Sequence, residues 1–222
     1  MRTRPGVEGI VCALPRELGS WRERVRSSSS HLGLVVLELD APVPARAVVC
    51  GVGKVAAARA VAALCAAGAP RRLWIVGTCG SLQARLPVGS FVHCTRAVQA
   101  DLGVREGRVS ESDPAMRELW RSVAEGEEAE FLTADRAVLS PWRRFLTKRR
   151  HPVGGVCDME TAAAASTALA AGIPFAALRV VTDTAGWGGA ASFRRHYETL
   201  GPRAADTLEP LFARLCDEGR FP

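Results

Sequence analysis

Val156-Cys157-Asp158-Met159-Glu160-Thr161, followed by Val180-Val181-Thr182-Asp183, decides how this chain is read. Thr161 to Ala171 is alanine-rich and helix-prone, Gly172 can end that helix, Pro174 cannot continue it, and Phe175 to Thr182 is an apolar run of strand length. The order is strand, helix, strand. A crossover of this kind predicts two neighbouring parallel strands that carry Glu160 and Asp183 to the same carboxyl edge of a sheet, where open α/β folds hold ligands.

Outward from this unit, apolar runs recur at the pace of alternating strands and helices. Gly9 to Ala13 reads as a first strand, Pro15 to Val25 as a helix and Arg26 to Ser30 as a polar loop. Leu34 to Leu39 and Ala47 to Cys50 read as strands, and Lys54 to Ala67 as a helix closed by Gly68 and Pro70. Leu73 to Val76 is a short buried strand before Gly77-Thr78-Cys79-Gly80, and Ser90 to Val98 is another. The polar stretch from Gly103 to Asp113 is a loop, Ser112 to Ala124 a helix, Glu130 to Leu139 an extended segment and Arg203 to Asp217 a closing helix. No repeat or internal boundary appears, so residues 1–222 are expected to form a single domain. The strand ends then place Glu17, the Gly51-Val52-Gly53-Lys54 turn, Thr78 and Gly80, Met159 and Glu160, and Asp183 around one cleft.

Composition narrows the partners. With 222 residues and 48% apolar content, the chain can bury a sizeable core. Its net charge of +6 is nearly all arginine, since Lys54 and Lys148 are the only lysines. The excess is scattered, apart from a cluster at Arg143, Arg144, Lys148, Arg149 and Arg150, and no aromatic-interleaved RNA motif accompanies it. A solvated helix face accounts for that cluster, an anion-attracting surface is the alternative, and no nucleic-acid partner is expected. The seven cysteines sit mostly in apolar runs without a CxxC pair, which fits reduced thiols in a cytoplasmic protein. The four histidines lack ligand spacing, so neither a metal nor any other cofactor is expected. No signal core or membrane-length apolar run is present, and no membrane partner is expected.

Four successive motifs carry a resemblance that covers about Gly9 to Leu215. Gly51-Val52-Gly53-Lys54-Val55-Ala56-Ala57-Ala58, Gly77-Thr78-Cys79-Gly80, Met159-Glu160-Thr161-Ala162-Ala163 and Arg179-Val180-Val181-Thr182-Asp183 resemble, in order, the signatures of the nucleoside phosphorylase superfamily. The branch most similar is that of the 5'-methylthioadenosine/S-adenosylhomocysteine nucleosidases. Ala100-Asp101-Leu102-Gly103-Val104 resembles the related futalosine hydrolases, although that branch usually has Ser-Asn where this chain has Thr182-Asp183.

The resemblance implies a three-layer α/β/α sandwich around a mixed, largely parallel sheet, a small purine nucleoside as partner, and a homodimer or higher homo-oligomer. It also implies roles. Glu160 accepts hydrogen bonds from the ribose 2'- and 3'-hydroxyls, Met159 packs on the sugar, and Phe193 lines the nucleoside pocket. Thr78 and Gly80 contact water or sugar. Asp183 is the acid that protonates the purine, and Glu17 polarises the attacking water, with Arg16 the competitor for that register. Phosphorylases of the superfamily usually carry an arginine two residues before the Gly-Thr-Cys-Gly run, where this chain has Ile75. The reaction implied is hydrolysis of a purine nucleoside's N-glycosidic bond, with phosphorolysis, futalosine hydrolysis or binding without cleavage as alternatives.

The chemistry calls for these residue types without the name. A purine leaves readily only when protonated, which requires a carboxylic acid kept neutral by apolar surroundings, and a second carboxylate orients water and offsets positive charge developing on the sugar. Plainer roles remain open for each residue. Glu160 and Glu17 could be first-turn acids favoured by a helix dipole, Asp183 a cap, Thr78 a turn residue, and Phe193 part of the core.

Overall fold

The computed structural model describes residues 6–104 and 108–217. In the first half of the chain lie β1 (Glu8–Cys12), a tight helical segment over Pro15–Glu23, β2 (Val25–His31), β3 (Leu34–Leu39), β4 (Ala45–Val49), α1 (Lys54–Ala66), β5 (Arg72–Ser81) and β6 (Phe91–Gln99). Then follow β7 (Val109–Glu111), α2 (Pro114–Arg121), β8 (Glu127–Thr133), α3 (Pro141–Arg150), β9 (Gly154–Asp158), α4 (Thr161–Ala170), β10 (Phe175–Asp183), α5 (Gly189–Leu200), α6 (Arg203–Asp206) and α7 (Leu208–Asp217).

Alternation along the strands builds the layers. In β1 and β5, Val11 and Ile75 face the alanine-rich α1 and α4, whereas Ile10 and Trp74 face a second cluster with Trp21, Trp120 and Phe212. Small residues on α1 and α4 let those helices lie close to the sheet. On the other face, Trp74 meets Trp120 edge-on at 5.2 Å between ring centroids. The expected α/β sandwich on a mixed sheet is the architecture observed.

The sheet runs β10-β6-β8-β9-β5-β1-β4-β3-β2, with β7 beside β6. Because β5 also pairs with β10, strands β5, β10, β6, β8 and β9 close on one another, and β1 to β4 extend from β5 as an open wing. This closure corrects the expected crossover. β10 is parallel to β5 but β9 is antiparallel to it, so the two carboxylate-bearing strands flank β5 and run in opposite directions. Their ends still meet because β9 overlaps only the last residues of β5. Gly80 is opposite Cys157 on one side and Asp183 on the other.

Several boundaries also differ from expectation. The Arg26 to Ser30 stretch is not a loop but most of β2, an edge strand whose residues are exposed on both faces, so no apolar alternation marks it. β5 continues through Gly77 to Ser81 instead of stopping at Val76. The segment expected to be extended from Glu130 to Leu139 is a strand only to Thr133. The closing helix divides at Thr207, whose hydroxyl accepts the Trp120 Nε1 hydrogen bond at 2.8 Å and donates to the Ala204 carbonyl at 2.7 Å. The expected 103–113 loop contains β7, and residues 105–107 lie outside the described part.

Two links tie the chain's beginning to the rest of the fold. Glu8 on β1 is fully buried, with its Oε1 accepting from Arg72 Nη2 at 2.9 Å and its Oε2 from Trp74 Nε1 at 2.5 Å. The Pro15–Glu23 segment is pinned by α6: Trp21 Nε1 donates to the Ala205 carbonyl at 2.9 Å and Ser20 donates from its amide to Asp206 at 2.9 Å. Truncating a buried ion-pair member leaves its partner uncompensated. Glu8→Ala is therefore expected to lower stability by about 3 kcal/mol in urea unfolding, and Glu8→Gln, which retains an acceptor for Trp74, by less.

Candidate active site

A cavity of about 710 Å³ opens where the carboxyl ends of β1, β5, β9 and β10 converge. Glu17, Thr78, Gly80, Met159, Glu160, Asp183 and Phe193 all line it. Sequence residues far apart in the chain are thus brought to one place. The register that was open at the first strand has a clear geometry. Glu17 is 1% exposed and turned inward, while Arg16 lies on the outside with its guanidinium on the Glu198 carbonyl at 3.0 and 3.1 Å.

Glu17 is held at both oxygens. Oε2 accepts from the amides of Ala13 and Leu14 at 3.1 and 3.0 Å, and Oε1 from the amide and hydroxyl of Thr78 at 2.9 and 2.8 Å. Three of these donors are fixed backbone amides. The Thr78 hydroxyl alone can rotate its proton elsewhere and free an acceptor site for another donor. Gly77 is what allows the approach, since a Cβ there would fall 2.4 Å from Arg179 Nη1 and 2.9 Å from Glu17 Oε1.

Glu160 precedes the first turn of α4 but its side chain makes no capping bond, so the plain helix-start role does not describe it. Its Oε1 accepts the Gly53 amide at 3.0 Å, across the Gly51–Gly53 turn, and its Oε2 faces Arg179 Nη2 at 3.4 Å. Burial pushes its pKa up to about 7 against the opposing pull of the guanidinium, with the neighbouring Asp158 adding to the rise. Asp183 is 9% exposed. Its Oδ1 accepts the Ala185 amide at 2.8 Å and its Oδ2 the Thr182 hydroxyl at 3.3 Å, and burial raises its pKa above the usual carboxylate range despite both bonds. Gly80 and Gly189 leave the space that Asp183 fills, because a Cβ would come within 2.9 and 3.1 Å of its Oδ1.

The residue not anticipated from sequence is Arg179. It is the single charge in the apolar run Phe175 to Val181 and is 1% exposed, so it must be paired within the fold. Its Nη2 is 3.4 Å from both Asp158 and Glu160 and donates to the Thr161 hydroxyl at 3.0 Å, while Nη1 donates to the Thr78 carbonyl at 3.3 Å. Its pKa is raised further by these carboxylates even though burial opposes it, which keeps the guanidinium charged. Asp158, also unassigned from sequence, accepts the Thr133 hydroxyl at 2.6 Å and ties β8 to the start of α4. Arg144 was read as part of a solvated helix face. Instead it turns inward and binds the carbonyls of Ser81, Leu82, Thr184 and Ala185, clamping the chain beyond β5 and β10.

Among the described residues, no group of three or more His, Cys, Asp and Glu side chains is arranged to hold a metal, and no helix is long and apolar enough to cross a membrane.

The closed α/β sheet with buried carboxylates at its strand ends is a framework that both a family model and solved structures match. The chain belongs to the phosphorylase superfamily, whose family model matches residues 9–213. Among solved structures it is similar to the 5'-methylthioadenosine/S-adenosylhomocysteine nucleosidase of Neisseria meningitidis in complex with methylthio-immucillin-A, at 23% identity and a TM-score of 0.89, covering 95% of this chain and 100% of that one. It is similar also to the S-adenosylhomocysteine nucleosidase of Streptococcus pyogenes (24% identity, TM-score 0.88, 97% and 99% covered) and to the futalosine hydrolase of Helicobacter pylori strain 26695 (19%, 0.88, 95% and 98%). No curated protein matches the sequence.

The raised pKa of Glu160 has a consequence for stability. A carboxyl group that binds its proton more tightly folded than unfolded favours the native state at low pH, and that advantage is lost as pH rises from about 4.5 towards 7. Glu160→Gln removes the titration. Between pH 5 and 8 the wild type should lose on the order of 2 kcal/mol relative to this variant, read as the difference in urea-unfolding free energy at the two pH values.

Proposed function

We propose that the protein hydrolyses the N-glycosidic bond of a purine nucleoside substituted at its 5' position. The observation that carries this reading is Glu17, which occupies the inner wall beside Thr78 while Arg16 faces away. A carboxylate there repels phosphate and attracts water. Ile75, at the position where superfamily phosphorylases usually place an arginine, is fully buried and offers phosphate nothing.

The roles follow from the environments. Asp183, whose proton affinity burial raises, donates its proton to N7 of the purine as the bond to C1' lengthens. Glu160 accepts hydrogen bonds from the ribose 2'- and 3'-hydroxyls, with Met159 against the sugar and Phe193 closing the pocket. Thr78 turns its hydroxyl away, so that Glu17 accepts a proton from the water attacking C1' and its charge offsets the cationic sugar. Gly80 supplies clearance between Asp183 and β9. Arg179 holds Glu160 and the Thr78 strand end in place. The seven unpaired cysteines support a reducing, cytoplasmic setting.

Incubating the protein with methylthioadenosine, S-adenosylhomocysteine, futalosine, adenosine or inosine should release free base without phosphate; release that required phosphate would overturn hydrolysis. Asp183→Asn should lower kcat by roughly 100- to 10,000-fold, and full activity in that variant would remove the acid assignment. Because Asp183 must be protonated and its pKa is raised, kcat should hold through the ordinary carboxylate range and fall only as pH climbs past the raised value.

A further inference from the structure

Arg16 faces away from the cleft, yet its guanidinium is directed at one particular carbonyl. Nε and Nη2 donate to the Glu198 carbonyl oxygen at 3.1 and 3.0 Å, and Nε lies 3.5 Å from the Glu198 carboxylate. Glu198 belongs to the last turn of α5, where the Gly201 amide still donates to the Tyr197 carbonyl at 2.8 Å. The next donor in that series would be Pro202, which has no N–H. The helix therefore leaves the Glu198 carbonyl open, and a cation at a helix C-terminus is also favoured by the dipole. Arg16 supplies both the donors and the charge.

A second link joins the same two segments. Burial, and then the charge of Glu17, push the phenol of half-buried Tyr197 up to about 12, while a hydrogen bond from the Arg16 backbone opposes the rise. The Tyr197 hydroxyl thus sits at the turn that carries Glu17. Its ring packs at a tilt on Phe193, one turn back along α5, with centroids 5.0 Å apart, and Phe193 lines the cavity. α5 is otherwise lightly attached, since Gly189 is its only buried residue. Nearer its start, Ser192 Oγ donates to the Thr182 carbonyl at 2.8 Å and His196 Nδ1 lies 3.2 Å from the same oxygen, next to Asp183. The helix lies as a bar across the site, bonded to the strand end of Asp183 and to the turn of Glu17.

We propose that Arg16 and Tyr197 are positioning residues for the attack on C1', strapping the Glu17 turn to the helix whose Phe193 seats the nucleoside. This rests on the assignment of Glu17 to water made above. When the Thr78 hydroxyl turns away to admit that water, Glu17 retains three amide donors, two of them from its own turn's approach at Ala13 and Leu14. The strap then keeps the turn from moving with the water. It also places the group that activates water and the wall that seats the base from one helix.

The test has two arms. Residue-resolved amide exchange by NMR reads the strap without any substrate. In Arg16→Ala, and in Tyr197→Phe, which keeps the ring on Phe193, the Ala13 and Leu14 amides that donate to Glu17 should exchange about tenfold faster. Ile10 and Val11, inside β1, should not change. Unchanged exchange at Ala13 and Leu14, or a rise shared equally by Ile10 and Val11, overturns the proposal. Kinetics follow base release from whichever of the nucleosides named above the wild type cleaves. Arg16→Ala should lower kcat about tenfold with KM changed by less than about twofold, and Arg16→Lys should recover most of the loss. In a Glu17→Gln background, Arg16→Ala should cost less than about twofold, because a residue that works through Glu17 has nothing left to position. General damage to the fold would cost the same factor in both backgrounds, and that result also overturns the proposal. Faster exchange at Ala13 and Leu14 in a protein that cleaves none of the nucleosides keeps the strap and defeats the hydrolase reading instead.

Discussion

The buried guanidinium of Arg179 is the constraint on which the cleft depends. Asp158, Glu160 and Glu17 come from segments far apart in the chain, and bringing such carboxylates together in an apolar strand edge is unfavourable unless a cation lies among them. Arg179 supplies that cation from within β10 and at the same time bonds the Thr78 carbonyl and the Thr161 hydroxyl. The interaction therefore sets both charge and position. Asp183 lies on the same strand but outside this network, with neutral partners only, which is why burial can raise its proton affinity unopposed by a positive neighbour.

Closure of the sheet supplies the second condition. β5 is bonded to β1, β9 and β10, and its carboxyl end carries Thr78 for one carboxylate and Gly80 for the other. These positions are two residues apart, roughly 7 Å along the strand, so both point the same way from the sheet. Glycines at 77, 80 and 189 leave the carboxylates room that any larger residue would occupy. A single rigid strand thereby spaces the two ends of the site.

Much of this was legible in the sequence, for identifiable reasons. Glu17, Glu160 and Asp183 each lie a few residues beyond the end of an apolar run, and a carboxylate at the end of a buried strand has few places to be other than a cleft. The direction of β9 was not legible, because Val156-Cys157-Asp158 reads equally well parallel or antiparallel and only the closing pairs with β5 decide it. β2 was hidden by four consecutive serines on an edge exposed on both faces, where no burial imposes a pattern. Arg179 was visible as a lone charge in an apolar run, yet its partners depend on three other segments. Arg144 was obscured by the charges around it, since composition cannot tell which arginine of a cluster turns inward.

The pinning of the Pro15–Glu23 segment by α6 bears on when the cleft exists during synthesis. Glu17 is made long before Ala205 and Asp206, yet the turn that carries it is fastened by them, and its Thr78 partner is steadied by Arg179. A chain emerging from the ribosome holds every early component of the cleft without the clasp that fixes them. The clasp on the Glu17 turn is therefore complete only after α6 has left the exit tunnel, and a nascent fragment lacking that region lacks the bonds that fasten it.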